Sequence, residues 1–149
     1  MILCILITNR AGSVLFERFY GVPAEEKKPW TSFLKKLGAE NLQYAREEEE
    51  LVASHRSVFH IVYAGIGDLA VYTLGSDEYD ELGLCEVLRS ILSVLKDVCN
   101  QKVSEAAVVD KYGRICLSLE EVVFQGDLEL TDKDRVKRAV KLKTSYIES

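Results

Sequence analysis

A nearly unbroken apolar run at residues 2–8 constrains the fold of this chain more than any other feature of its sequence. Its apolar side chains occupy successive rather than alternating positions, which is typical of a strand buried on both faces. Turn-forming residues follow at 9–12, and residues 14–20 are again rich in β-forming side chains. The sequence therefore predicts an opening β-hairpin whose first strand is buried.

Large apolar residues at helical spacing come next. A first helix is predicted to begin between Pro23 and Pro29 and to stop at Gly38. Residues 57–64 and 69–74 predict a second hairpin, with residues 65–68 as its turn. A second long helix is predicted for residues 79–98, because its apolar residues form one broad face.

Two structures compete for residues 104–124. Seven apolar positions fall on one helical stripe, with Ser104 and Gly126 as plausible ends. Alternatively, residues 111–114 could be the turn of a hairpin, and Gly113 would cost a helix ~1 kcal/mol relative to Ala. The stripe favours a helix. A last short helix is predicted from Thr131, which opens a capping-box pattern, to about Leu142. Two hairpins joined by a helix indicate an α+β fold with an antiparallel sheet and helices packed against it.

Composition and charge exclude several classes of protein. The 149 residues predict a single domain, 1–149, and 24 acidic against 19 basic residues give a net charge of −5. A nucleic-acid-binding protein would normally show a basic excess instead. The opening apolar run is too short to span a bilayer and lacks the pattern of a signal peptide, so a cytoplasmic protein is expected. The acidic run at residues 47–50 is interpreted as a solvated loop or helix end.

No residue pattern predicts catalysis, a cofactor or a metal. His55 and His60 have no Cys or carboxylate at ligand spacing, and phosphate-loop, nucleophile-elbow and zinc-protease motifs are absent from the sequence. The four cysteines form no C-x-x-C pair and are interpreted as reduced core residues; they are Cys4, Cys85, Cys99 and Cys116. The sequence therefore predicts a non-enzyme with no small-molecule substrate.

A local basic excess near the end of the chain departs from the overall acidic charge. It could contact an anionic membrane surface or an acidic partner, although an ordinary solvated helix face explains it as well. The residues of this basic patch are Lys133, Arg135, Lys137, Arg138, Lys141 and Lys143.

Several segments, taken together in order, resemble the small subunits of vesicle-coat adaptor complexes. Residues 1–12 and the strand ending at Phe19-Tyr20 are similar to the start of clathrin adaptor sigma subunits. Residues 61–63, 68–69 and 79–82 resemble the zeta subunit of the COPI coat. Residues 19–26, 36–42 and 131–135 look like the small subunit of the TPLATE (TSET-type) endocytic complex.

This resemblance implies a longin/SNARE-like domain with a five-stranded antiparallel sheet flanked by α-helices. Only four strands are predicted above, so the fifth is expected at residues 48–53 or in the strand alternative after Ser104. The implied function is a non-catalytic subunit that pairs with a large solenoid subunit and other coat subunits. Its implied location is cytoplasmic and peripheral to a membrane, at a coated pit or vesicle, with the plasma membrane expected.

Adaptor sigma subunits also help to bind acidic dileucine cargo signals, and the resemblance carries that pocket onto this chain in altered form. A lysine and a small alanine stand where the family has larger apolar residues, and Leu15 replaces a basic residue that receives the acidic part of the signal. Dileucine binding is therefore expected to be weak or absent. The degenerate pocket positions are Leu69, Leu92, Gln101, Lys102 and Ala107.

A second hypothesis belongs to a different class of function. A free-standing longin- or roadblock-like regulator of a small GTPase would share the sheet and the lack of catalytic motifs. Stable, monodisperse protein that binds a GTPase would favour this alternative, whereas stoichiometric recovery with a much larger chain would favour a coat subunit.

Overall fold

A five-stranded antiparallel sheet with helices on both faces forms the structure, a computed structural model that describes residues 2–76 and 81–128, with backbone alone for 124–128. The strands lie in the order β2-β1-β5-β4-β3. Their bounds are Ile2–Asn9 (β1), Val14–Phe19 (β2), Leu51–His55 (β3), Phe59–Ile66 (β4) and Leu69–Gly75 (β5). The helices are Ala24–Asn41 (α1), Glu81–Val98 (α2), Glu105–Asp110 (α3) and Tyr112–Leu128 (α4), with a short 3-10 turn at Leu42–Tyr44. The predicted fold class is confirmed.

Strand β1 is buried on both faces because it lies between β2 and β5 and helices cover each side. Ile5 and Ile7 enter a core formed with α2 and α4, while Cys4 and Leu6 enter a second core beneath α1. Apolar side chains at successive positions are therefore required in this strand, as the opening run indicated. Helix α2 lies on β4 and β5, and α4 packs against α2.

Gly38 does not end the first helix, contrary to the prediction. Helix α1 continues to Asn41, and Gly38 is buried within it against the ring of Tyr72 in β5. A Cβ atom at Gly38 would overlap the Tyr72 hydroxyl. The glycine is thus a point of close contact between helix and sheet, which explains its presence better than a helix stop does.

The turn of the second hairpin is shorter than predicted. Gly65 and Ile66 belong to β4, so the turn contains only Gly67 and Asp68. Gly67 has a φ of 56°, and a Cβ atom there would overlap the carbonyl oxygen of Val103. Gly67 is thus required by conformation and by space.

Residues 104–124 are helical but do not form one helix. Ser104 caps α3, since its hydroxyl accepts a hydrogen bond from the backbone N–H of Ala107 at 3.1 Å. A turn at Lys111 then separates α3 from α4, which runs beyond Gly126 to Leu128. The fifth strand is β3, which overlaps the first of its two expected places at residues 51–53 and continues to His55. The predicted last helix and the basic patch lie outside the described residues.

Candidate functional site

The two histidines lie in β3 and β4 and have different surroundings. The ring of His55 packs edge-on against Trp30, with 5.5 Å between ring centroids, and against Phe33 at 4.9 Å. The Nδ1 atom of His60 is buried and has no hydrogen-bond partner in the part of the chain that the structure describes. Across residues 2–76 and 81–128, no three His, Cys, Asp or Glu side chains are grouped so that they could hold a metal ion.

The cysteines are free thiols in apolar surroundings. Cys4, Cys85 and Cys99 are buried and Cys116 is half-buried. Burial raises the pKa of all three buried thiols, and for Cys85, where a hydrogen bond to Glu50 adds to the effect, the pKa rises to about 11. These thiols are therefore protonated at neutral pH, which does not suit a nucleophile or a metal ligand.

The acidic run at residues 47–50 lies in an exposed to half-buried loop, as the sequence indicated, and bonds to other segments hold it in place. Glu48 forms an ion pair with Lys96 of α2 at 2.8 Å. Glu50 accepts two hydrogen bonds from the guanidinium of Arg89, also in α2. Glu47 accepts a hydrogen bond from the backbone N–H of Gly67. The run thus fastens the segment before β3 to α2 and to the β4–β5 turn.

Charge pairing is reflected in the acid–base properties of the Glu50–Arg89 pair. Hydrogen bonds from Arg89 lower the pKa of Glu50, and the same bonds raise the pKa of Arg89. The Glu50 side chain is 22% exposed and that of Arg89 is 60% exposed. The pair consequently stabilises the fold only moderately, because solvent screens it on the Arg89 side.

The five degenerate dileucine positions divide between the core and the surface. Leu69, at the start of β5, and Leu92, in α2, are buried in one core, and Ala107 packs at its margin. Gln101 and Lys102 are exposed in the loop between α2 and α3. The structure therefore places three of the positions in or beside the same core and leaves the two polar ones in solvent.

Large apolar side chains are exposed on α3 and α4. Val109 is 62% exposed, Leu117 54% and Tyr112 39%. Single exposed apolar residues are common on protein surfaces, and these three lie within nine positions of one another along the chain. An ion pair between Arg18 of β2 and Glu120 of α4, at 2.9 Å, fixes this segment against the edge of the sheet. We call Val109, Tyr112 and Leu117 the α3–α4 surface.

Sequence reasoning did not identify the α3–α4 surface, although the signal was available. Val109 and Leu117 are apolar but lie off the helical stripe that contains Val108, Ile115 and Leu119. Val108, Ile115 and Leu119 are buried in the core. Apolar residues off a buried stripe point away from the core, so the sequence could have indicated an exposed contact surface.

No described helix is long and apolar enough to cross a membrane.

Comparison with known proteins gives consistent similarities over almost the full chain. Residues 1–146 match the sequence profile of the clathrin adaptor complex small chain. TSET complex member tstD of Dictyostelium discoideum is 29% identical over 145 residues, which cover 96% of this chain and 94% of that protein. Human coatomer subunit zeta-1 is 26% identical over 139 residues, covering 93% of this chain and 76% of the relative.

A rice protein and a structural neighbour extend this set. Coatomer subunit zeta-3 of Oryza sativa subsp. japonica is 25% identical over 141 residues, covering 91% of this chain and 76% of the relative. A chain in a homology model of the full-length AP-3 complex superposes with a TM-score of 0.67 at 17% identity, covering 99% of this chain and 94% of that one. At this identity the neighbour shows the fold alone.

Proposed function

Because this chain belongs to the clathrin adaptor complex small chain family, we propose that it is a non-catalytic small subunit of a vesicle-coat complex. The observation that carries the proposal is the family match over residues 1–146, which takes in every described strand and helix. The relatives in Dictyostelium, rice and human are named as members of TSET and coatomer complexes. A role within a hetero-oligomer follows from this family membership.

The proposed complex is of the TSET type, working in endocytosis at the plasma membrane. The TSET relative supports this choice, since it matches 94% of its own length whereas the coatomer relatives match 76%. The chain would act in the cytoplasm and reach the membrane indirectly, through the other subunits. No cofactor enters the proposal.

The proposed partner is a large solenoid subunit whose concave surface encloses this domain. Solenoids present extended concave surfaces that suit a compact globular partner. The α3–α4 surface is the part of the described chain that we assign to this contact, because Val109 and Leu117 are more than half exposed. Burying such side chains in an interface contributes about 1.5–3 kcal/mol each when burial is complete.

Purification of the tagged full chain from the cells it comes from tests the proposal. We expect a much larger chain to be recovered in a one-to-one ratio, identified by mass spectrometry and by the native mass of the assembly. Recovery of the chain as a monomer, or with a small GTPase in place of a large subunit, would show that the proposed function is wrong.

A matched pair of variants tests the assigned surface separately from the function. Leu117→Glu should reduce recovery of the large subunit, because it places a charge in an apolar interface. Val58→Glu, in the turn between β3 and β4, introduces the same charge at a residue that is 41% exposed and should leave recovery unchanged. Equal recovery with both variants would remove the α3–α4 surface from the interface but would leave the coat assignment intact.

A further inference from the structure

A cavity of about 530 Å³ opens between α1 and the β1–β2 turn, on the sheet face covered by α1. Its floor includes the buried residues Thr8, Ala70 and Tyr72. Three cationic side chains line it, namely Arg10, Lys35 and Lys36. Among the described residues that line the cavity, none is Asp or Glu. In a chain of net charge −5, this is a local concentration of positive charge.

Glycines make room for two of these cations. A Cβ atom at Gly65 would overlap the guanidinium of Arg10, which therefore lies over the sheet next to Ala70. A Cβ atom at Gly12, where φ is 95°, would lie 3.3 Å from Cε of Lys35. The Arg10 guanidinium thus lies over the end of the sheet, and the Lys35 side chain lies beside the β1–β2 turn.

Among the described residues, no carboxylate forms an ion pair with Arg10 or Lys35. Arg10 donates to a neutral acceptor, the carbonyl oxygen of Gly67 at 3.3 Å. Lys35 has no ion pair with a described residue, and Lys36 approaches Glu40 at 4.0 Å with both side chains more than half exposed. By contrast, Lys96 and Arg89 are closely paired with the acidic run on the opposite side.

The floor includes the hydroxyl-bearing side chains of Thr8 and Tyr72, which are 1% and 2% exposed. Burial is the main cause that raises the pKa of Tyr72, so its hydroxyl keeps its proton at neutral pH. Thr8 is hydrogen-bonded to that hydroxyl. Arginine and lysine side chains such as those at the rim are the groups that bind phosphate oxygens in proteins. The volume falls in the range of small-ligand pockets.

We propose that this cavity binds a phosphate-bearing anion. Arg10 and Lys35 neutralise the phosphate charge. The same chemistry occurs in a soluble inositol phosphate and in a lipid headgroup. The site is on the α1 face, whereas Leu69 and Leu92 of the dileucine positions lie in the core on the other face of the sheet.

Titration of the full chain with inositol trisphosphate, and separately with phosphatidylcholine vesicles that do or do not contain a phosphoinositide, tests the proposal. We expect saturable binding to the soluble probe or to the phosphoinositide vesicles alone. Binding to the soluble probe identifies a free phosphate ligand as sufficient, and binding confined to vesicles identifies the lipid headgroup as the source. No saturable binding in either arm would overturn the proposal.

Matched charge variants distinguish binding in the cavity from nonspecific electrostatic attraction to the protein surface. Lys35→Gln should weaken binding by about tenfold or more, since it removes a charge-assisted contact to phosphate. Lys28→Gln removes one charge from the same helix at an exposed position that does not line the cavity, and should leave affinity unchanged. Equal weakening by both variants would also overturn the proposal. Thermal melting of each variant verifies that it folds.

Discussion

The hydroxyl group of Tyr72 in β5 lies against Gly38 of α1, in the space that a larger side chain at position 38 would need. This contact sets how closely the first helix approaches the sheet. It also explains why a glycine stands in the interior of an 18-residue helix, where it lowers helix stability by about 1 kcal/mol relative to Ala.

Gly38→Ala should lower the free energy of unfolding. Alanine favours the helix by ~1 kcal/mol, but its methyl group would overlap the Tyr72 hydroxyl and force the helix and the sheet apart. Overpacking of this kind costs about 1–3 kcal/mol, so the net change is expected to be destabilising. Urea unfolding followed by circular dichroism measures the difference.

Gly113→Ala provides the matched control. No atom lies within 4 Å of a Cβ built at Gly113, in the first turn of α4, so only the helix preference acts there. We expect a stabilisation of up to about 1 kcal/mol. If both substitutions changed stability in the same direction, the contact with Tyr72 would not be what requires the glycine at position 38.

Glu50→Gln should destabilise the protein in a pH-dependent way. Arg89 lowers the pKa of Glu50, so the ion pair contributes stability above the unfolded-state pKa of about 4.3 and loses it as pH falls through the lower folded-state value. At neutral pH the loss is expected to be about 0.5–1 kcal/mol, reduced by the exposure of Arg89.

Unfolding experiments at neutral pH and at acidic pH give the measurement for this pair. The difference between wild type and Glu50→Gln should vanish in acid, where the carboxylate is protonated in both states. Glu49→Gln is the control, because the partner of Glu49 is Arg46, only three residues earlier in the chain, and the Arg46 side chain is 92% exposed. A Glu50→Gln effect that stays constant from neutral to acidic pH would contradict the ion-pair explanation.

Sequence patterns predicted the elements whose side chains meet the core directly. The run at residues 2–8 gave β1, and helical spacing gave α1 and α2, because burial on fixed faces imposes a period on the sequence. Strand β3 was harder to place. It is a five-residue edge strand with alternating half-buried and exposed positions, so few apolar residues mark it.

Features that depend on contacts between distant segments could not be predicted in this way. Glu50 and Arg89 are 39 positions apart, and nothing local distinguishes a paired carboxylate from a solvated one. Gly38 was mistaken for a helix stop because its role depends on Tyr72, which comes 34 positions later in the chain. The break at Lys111 was missed because apolar residues on both sides of it fit one helical stripe. Tertiary contacts override local preference in each case.

Dileucine peptides should bind weakly or not at all to the assembled complex. Leu69 and Leu92 are 0% and 3% exposed, so neither offers an open surface to a cargo leucine, and Lys102 is exposed in the α2–α3 loop. A cargo leucine would forgo the ~1.5–3 kcal/mol that full enclosure provides. Fluorescence anisotropy with a labelled dileucine peptide is the measurement. Saturable binding that disappears when both peptide leucines are changed to serine would contradict this expectation.

Thiol reactivity should separate Cys116 from the other three cysteines. Cys4, Cys85 and Cys99 are buried and their pKa values are raised, chiefly by burial, so at mildly alkaline pH they are inaccessible and largely protonated. Cys116 in α4 is half-buried and should react first with a chromogenic disulfide reagent. We expect one fast thiol in the native chain, four after unfolding in guanidinium, and none fast in Cys116→Ser. Because a thiolate must reach the reagent, two or more fast thiols in the native state would mean that at least one of the two cores opens more readily than its burial implies.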